Sequence, residues 1–243
     1  MIMTDFWSCV SAYNADTWIL QIAWVVLGAF LTVTLYFRPV PAIRGAMKIY
    51  MAGLNFWVAL IYYHLYGMGG VYDNMQTLFW IIMGGIWLYD LRVGHASLDL
   101  TGRHSRFALP LLAMPLVYPL LSLALGRSLP AIVSPLMPCS VALFTIGVMR
   151  AFSKRVNIVL AMFLCHWALL GFSKVPVLGL PEDYLLAACA VPAIYLFARD
   201  YIRKHAGRNS KPSPRALAIL LLLLCAVISG SFIISLVKEI ALA

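Results

Sequence analysis

The stretch NIVLAMFLCHWALLGFS, residues 157–173, is almost entirely apolar but carries a histidine, His166, near its middle. A helix needs roughly 20 mostly apolar residues to cross a hydrocarbon layer roughly 30 Å thick, and this stretch approaches that length. An imidazole inside such a segment is either a functional group or a side chain held by a partner in a helix bundle. The stretch therefore predicts a membrane-spanning helix with a buried histidine.

The rest of the chain has the same character. Of its 243 residues, 63% are hydrophobic and only 11% are charged, and the mean hydropathy is +0.90. A soluble domain carries about a quarter charged residues, so this composition indicates an integral membrane protein. Residues 1–243 are interpreted as one membrane-embedded, all-α domain with eight transmembrane helices. The predicted helices are 17–37, 49–66, 75–91, 107–125, 133–149, 156–173, 184–202 and 216–237.

The distribution of positive charge predicts the orientation. All but three of the 18 Lys and Arg residues follow the first, third, fifth or seventh predicted helix, and the exceptions are Arg127, Lys174 and Lys238. Loops rich in Lys and Arg remain on the cytoplasmic side of a membrane. Both termini are therefore predicted to lie outside, in a multi-pass protein of the bacterial inner membrane.

Two segments flank the predicted helices. Residues 1–16 contain Phe6, Trp7 and Tyr13 and are expected to lie at the outer interface, where aromatic rings are favoured. Residues 203–215 form a basic cytoplasmic loop with a predicted attraction to anionic lipid. The partner of the chain is thus the lipid bilayer. Because the basic residues are spread over loops on one side, nucleic acid is not expected as a partner.

Six of the 13 prolines fall between residues 110 and 138. A proline inside a helix leaves a carbonyl without its donor, and lipid cannot supply one. The fourth and fifth helices are therefore predicted to be kinked and interior. The sequence GRSLPAIVSP between them (126–135) is predicted to form an outer loop that dips into the bundle.

Polar and soft side chains recur in the outer half of six predicted helices. These binding candidates are Gln21, His64, Gln76, Tyr118, Cys139 and His166. Together they predict a polar cavity open to the outside. Imidazole and thiol ligands favour zinc or copper, so His64, Cys139 and His166 form a hypothetical metal site, with haem as another option. The alternative is that each histidine is a hydrogen-bonded packing residue.

Two acids near the inner helix ends have a structural interpretation. Asp90 lies two residues from Arg92, and Asp200 lies at helical spacing from Arg203 and Lys204. Both carboxylates are expected to form these local ion pairs.

Four stretches resemble a bacterial family of polytopic membrane proteins defined only as a domain of unknown function, number six thousand and sixty-four. They are YNADTWILQIA (13–23), FWVALIYYHLYG (56–67), YPLLSLALGRSLP (118–130) and MPCSVALFTIGV (137–148). The resemblance covers about the first two-thirds of the chain, so the eighth helix looks like an addition. It implies no activity. The positions that match the family signature are Asn14, Trp18, His64, Tyr118, Pro119, Pro138 and Cys139.

The sequence leaves three functions open and contains no nucleotide-binding loop, hydrolase elbow or kinase signature. The favoured hypothesis is a transporter or permease for a small solute or metal, with an outward-facing polar cavity. The second is a membrane partner subunit or scaffold without catalysis. The third is a membrane-embedded metal or haem protein.

Overall fold

A computed structural model describes residues 2–99, 106–205 and 214–242. Over these residues the chain is helical apart from one short ribbon, as the sequence predicted. The helices are α1 (Ile2–Phe37), α2 (Pro41–Trp57), a π-helical segment (Val58–Leu65), α3 (Val71–Val93), α4 (Ala108–Leu112), α5 (Met114–Ala124), α6 (Pro138–Phe152), α7 (Ile158–Leu169), α8 (Gly171–Leu178), α9 (Asp183–His205) and α10 (Pro214–Leu242). The ribbon pairs β1 (Ser97–Leu98) with β2 (Ser153–Arg155) in antiparallel fashion.

Three helical stretches of the described residues are long and apolar enough to cross a membrane. They are Asp5–Phe37, Ile158–Leu178 and Asp183–Arg203. Three shorter helical stretches are also apolar, namely Met114–Ala124, Pro138–Phe152 and Ile219–Ser235. The outer faces of the helices carry many exposed Leu, Ile, Val and Phe side chains, most densely on α1 and α10. A soluble monomer rarely exposes so much contiguous apolar surface.

The helix boundaries depart from the sequence prediction at the N-terminal end. Residues 2–16 are the first turns of α1 and do not form a separate segment. Phe6 and Tyr13 lie in the core and are not on an outer surface. The second predicted helix changes at Val58 from α-helix to π-helix, which hydropathy alone does not reveal.

Helix α6 is the central element of the bundle, because every one of its residues is buried. This confirms the predicted interior position of the fifth helix. Pro138 does not kink it, however, since the residue stands in the first turn, where a helix has no use for the missing amide hydrogen. The fourth predicted helix is not interior. It is divided at Ala113 into α4 and α5, and Leu116 and Leu120 point outward.

The connection between α5 and α6 enters the bundle, in agreement with the predicted dipping loop. Its carbonyl groups find donors on α1. The Asn14 amide donates to the carbonyls of Pro130 and Ile132 at 2.7 and 2.8 Å, and the Tyr13 hydroxyl donates to that of Leu136 at 3.4 Å. Side chains thus replace the water that a surface loop would use.

Ion pairs lie where α3, α6 and α9 end. We call this the opposite end of the bundle, because a cavity described below lies at the other end. Asp90 is fully buried and pairs with Lys48 of α2 at 2.8 Å, and it also accepts from the Ala96 amide and from Asn157. The expected local pairing of Asp90 with Arg92 is wrong, because the tertiary fold brings in a cation from another helix.

Asp200 likewise finds its main partner across the bundle. Its carboxylate pairs with Arg150 of α6 at 2.8 Å and with the adjacent Arg199 at 3.1 Å. Among the described residues no ion pair joins Asp200 to the expected partner Arg203, and the side chain of the other expected partner, Lys204, lies outside them. Arg150 is also within 5.2 Å of the Phe197 ring, so its guanidinium links α6 to α9 through two contacts.

Candidate functional site

A cavity lies where α3, α6 and α9 begin, and we call this end of the bundle the cavity end. Its walls come from α1, the π-helical segment, α3, α6, α8 and the turn after Leu65. The empty volume is about 530 Å³, part of which is open to solvent, and the centre of a water molecule can reach about 40 Å³ of it. One water needs about 10–15 Å³ by the same measure. The cavity can therefore hold a molecule of several non-hydrogen atoms.

One wall of the cavity is aromatic. Tyr62 and Tyr63 are consecutive and are both buried, and Tyr72 and Phe6 complete this wall. The rings of Tyr62 and Tyr63 meet edge to face, with centroids 4.9 Å apart. These two tyrosines belong to the π-helical segment, a local widening that is frequent at functional sites.

The oppositely charged side chains of Lys174 and Asp183 lie near the thiol of Cys139, beside the cavity. Lys174 is only 4% exposed, and its ammonium lies 3.8 Å from the centre of the Trp167 ring. Asp183 is fully buried, and its charge acts on both Cys139 and Lys174. Among the described residues neither Asp183 oxygen has a nitrogen or oxygen donor within hydrogen-bond distance, and the nearby donor is the Cys139 thiol. A buried carboxylate with so few donors is typical of a functional site.

Asp73 supplies a second carboxylate from the first turn of α3. Its charge acts on Cys9 and on Tyr62, Tyr63 and Tyr72, so it lies along the aromatic wall. Gly67 lets it approach the turn closely, because a Cβ atom at residue 67 would lie 2.8 Å from Asp73 Oδ2. The cavity thus has a carboxylate near Tyr63 and an ammonium near Cys139.

A second group of charges packs beside the cavity and stabilises its rim. The Arg127 guanidinium stacks on the Trp7 ring, 3.4 Å from its centre, and donates to the Gly179 carbonyl. Arg127 Nε lies 3.6 Å from a Glu182 oxygen that also accepts from Ser122 at 2.7 Å. These contacts join α1, α5 and the α8–α9 turn.

At the mouth of the cavity, the Tyr66 hydroxyl donates to Asp16 at 2.9 Å. This hydrogen bond raises the pKa of the Tyr66 phenol, with smaller contributions from burial and from the charge of Asp16.

Of the six candidates predicted from sequence, only Cys139 lines the cavity. Tyr118 does not line the cavity. Its phenol is buried near the charge of Asp183, and its hydroxyl has no hydrogen-bond partner among the described residues. Gln21 is buried away from the cavity, where its amide donates to Thr17 at 2.9 Å and to Asn14 at 3.3 Å. It supports the residue that holds the α5–α6 loop.

Gln76 and His166 belong to the core between α3 and α7. Gln76 is fully buried and accepts from the Trp167 indole at 2.7 Å. His166 packs edge to face against Phe79 and Phe163, with ring centroids 5.7 and 6.0 Å away. Neither imidazole nitrogen makes a hydrogen bond of normal geometry among the described residues, and the nearby acceptors are the carbonyls of Met162 and Phe163.

The hypothetical metal site is not formed. His64 is exposed on the π-helical segment, whereas His166 is enclosed by phenylalanine rings and Cys139 lines the cavity. Within the described ranges no group of three or more His, Cys, Asp or Glu side chains is arranged to hold a metal ion. Equal depth in the membrane does not bring side chains together, because the helices carrying them need not be neighbours.

Sequence reasoning missed Lys174, Asp183 and Asp73. Lys174 was assigned to an outer loop, but α8 continues through it to Leu178 and carries it inward. The signal in the sequence was a lone lysine in the apolar run GFSKVPVLGL (171–180), followed by a proline and then by two acids. The five cysteines are all free, and Cys9 and Cys139 both line the cavity.

Several positions of the family resemblance surround this region. Asn14 holds the α5–α6 loop, Pro138 begins α6 beside Cys139, and Pro119 lies inside α5 one residue after Tyr118. Trp18 differs from these, since it is 56% exposed on the outer surface of α1.

Comparison with known proteins agrees with the resemblance and extends it. No curated protein and no solved structure matches the chain. A family model matches residues 3–208, which reaches beyond the first two-thirds expected from the sequence and ends before α10. The chain therefore belongs to the family described as "Family of unknown function (DUF6064)".

Proposed function

We propose that the chain is a multi-pass membrane protein of the permease or receptor kind, which binds a small solute in the cavity. In this proposal the chain has eight transmembrane segments: α1, α2 with the π-helical segment, α3, α4 with α5, α6, α7 with α8, α9 and α10. The exposed apolar side chains on their outer faces support it, since lipid tails would cover them.

The charges at the two ends support an orientation with the cavity facing outward. The loops at the opposite end hold most of the Lys and Arg residues, which supports a cytoplasmic position for that end. The cavity end holds Arg127, Lys174 and, near the end of α10, Lys238. The N-terminal start of α1 lies at this end, because Phe6 and Cys9 line the cavity.

The observation that carries solute binding is the group formed by Lys174, Asp183 and Cys139. Burying two charges without a direct hydrogen bond between them costs stability, and a packed apolar group would serve a scaffold better. Lys174 and Cys139 line a space that water can reach, so a ligand with donors and acceptors can meet them. Metal binding by the predicted histidines is not part of the proposal.

The test compares the reactivity of two buried cysteines in the native protein. Cys139 is 3% exposed but lines the cavity, and Cys165 is fully buried in α7 and does not. Purified protein in lipid nanodiscs would be alkylated with iodoacetamide, and each cysteine would be followed by peptide mass spectrometry. We expect Cys139 to react at least tenfold faster than Cys165. Equal rates at Cys139 and Cys165, in protein whose five cysteines all react after denaturation, would show that no small solute reaches Cys139.

The orientation is tested with single new cysteines in exposed loops. Leu129 at the cavity end is 72% exposed, and Arg38 at the opposite end is also exposed. An impermeant maleimide added to spheroplasts should modify Leu129→Cys and leave Arg38→Cys unmodified until the cells are lysed. The reverse pattern would mean that the protein has the opposite orientation in the membrane. Modification of both cysteines in intact spheroplasts would refute the separation of the two ends by a bilayer.

A further inference from the structure

The charges around the cavity are mostly negative, although the chain as a whole carries a net charge of +9. Among the described residues, five carboxylates and two cations have contacts that place them at the cavity or its rim. The carboxylates are Asp5, Asp16, Asp73, Glu182 and Asp183, and the cations are Arg127 and Lys174. Such a local excess of one sign attracts the opposite sign from solution and concentrates it at the entrance.

Both cations already interact with other side chains of the protein. Arg127 lies between the Trp7 ring and Glu182, and the charge of Lys174 rests on the Trp167 ring with Asp183 nearby. An anionic solute would have to compete with these partners. A cationic solute would meet a lining that includes the Asp73 carboxylate and the aromatic wall.

That wall has the composition of a cation-binding surface. Together with Tyr66, its tyrosines make four that line the cavity, namely Tyr62, Tyr63, Tyr66 and Tyr72. The charge of Asp73 acts on the three of them that are buried. Tyrosine rings attract a cation through their negative faces, and the attraction grows when water is excluded. Rings next to a carboxylate give a soft, partly apolar site that suits an alkylated ammonium group better than a small, strongly hydrated metal ion.

We propose that the solute of this cavity is a small organic cation, of the alkylammonium or quaternary ammonium class, bound between Asp73 and the tyrosine wall formed by Tyr62, Tyr63, Tyr66 and Tyr72. This proposal rests on the proposed function, because it assumes that solute enters the cavity. Cys139 lines the same space and serves as a reporter of occupancy.

The first experiment uses choline and its neutral carbon analogue 3,3-dimethylbutan-1-ol, which has nearly the same shape without the charge. Each would be added to the native protein in nanodiscs at increasing concentration while the alkylation of Cys139 by iodoacetamide is measured. We expect choline to slow the reaction at Cys139 and the neutral alcohol to be about tenfold weaker, as loss of the cation–π and carboxylate attraction requires. Equal protection by both would refute a cation site, and protection by neither would refute this ligand class.

The second experiment compares two thiol reagents of opposite charge, the trimethylammonium-ethyl and sulfonatoethyl methanethiosulfonates. Their rates at Cys139 would each be divided by the rate with a free thiol in solution. The cationic reagent should then be favoured by about tenfold, and Asp73→Asn should remove most of this preference while Asp73→Glu retains it. A preference for the anionic reagent would overturn the proposal.

Tyr184→Leu is the matched control for Tyr63→Leu. Tyr184 stands at the same end of the bundle but is 56% exposed and does not line the cavity. Only Tyr63→Leu should weaken protection by choline. If Cys139 of the native protein is alkylated but choline has no effect, only the ligand class fails. If Cys139 is not alkylated at all, the proposed function fails with it.

Discussion

The two ends of the bundle use buried charge in different ways. At the opposite end, Asp90 and Lys48 are both buried, lie 2.8 Å apart and share further hydrogen bonds with the surrounding chain. At the cavity end, Asp183 and Lys174 are as deeply buried, yet they have no such direct contact and lie beside open space. Paired charges hold helices together, whereas a buried carboxylate without a close cation, such as Asp183, is typical of a functional site.

The largest expected effect on stability is at the opposite end of the bundle, where Asp90 and Lys48 are paired. Asp90→Asn would leave the Lys48 ammonium buried without its counter-charge, and it would weaken the bond from Ala96. We expect it to lower the free energy of unfolding by about 3–5 kcal/mol, measured by thermal unfolding in detergent. Asp99→Asn is the control, because Asp99 and its partner Arg44 are each one-third exposed. Loss of that pair should cost less than about 1 kcal/mol, and equal losses would contradict the importance of burial.

Gly67→Ala tests the close approach that shapes the cavity end. The new Cβ atom would lie 2.1 Å from the Tyr63 carbonyl oxygen and 2.8 Å from Asp73 Oδ2. The turn must move, so we expect a loss of about 1–3 kcal/mol and a change in the alkylation rate of Cys139. Gly85→Ala is the control, since no atom lies within 4 Å of its added Cβ. A wild-type alkylation rate in Gly67→Ala would show that this turn does not shape the cavity.

The double variant Lys174→Met/Asp183→Asn tests whether the charges at the cavity end contribute to stability. Since the two groups gain little from each other, their joint removal should change the free energy of unfolding by only about 1 kcal/mol in either direction. Thermal unfolding measures the stability, and the alkylation of Cys139 with and without choline measures the cavity. A loss as large as that of Asp90→Asn would instead make these residues structural.

The smallest expected effect is at His166, which belongs to neither end. Its imidazole nitrogens are buried among phenylalanine rings without good hydrogen bonds. His166→Leu should therefore leave stability unchanged or raise it by about 1 kcal/mol, and protection of Cys139 by choline should be unaffected. A metal content that falls in His166→Leu, determined by elemental analysis of both proteins, would restore the ligand hypothesis.

The candidate site shows where sequence reasoning stopped. Cys139 was expected near one end of an interior helix, and it stands in the first turn of α6, whose residues are all buried. His64 and His166 were grouped with it by depth alone, and the rotation of their helices separates them. Lys174 was overlooked, since nothing in a hydropathy profile distinguishes a loop lysine from one that a helix carries against a tryptophan ring.

The anionic-lipid prediction for residues 203–215 concerns a segment whose middle, residues 206–213, lies outside the described residues. It stays a prediction.

By itself, the sequence determined the helical class, the approximate positions of eight apolar segments and the family, because these depend on local composition and on motifs along the chain. Tertiary structure alone decided that Asp90 pairs with Lys48, that Asn14 holds the α5–α6 loop, and that Asp73, Cys139 and Lys174 share one cavity. The reason is physical: the energy of a buried polar group depends on which helix faces it. Neighbouring helices in a bundle can be far apart in the chain, and periodicity does not specify the rotation of one against another.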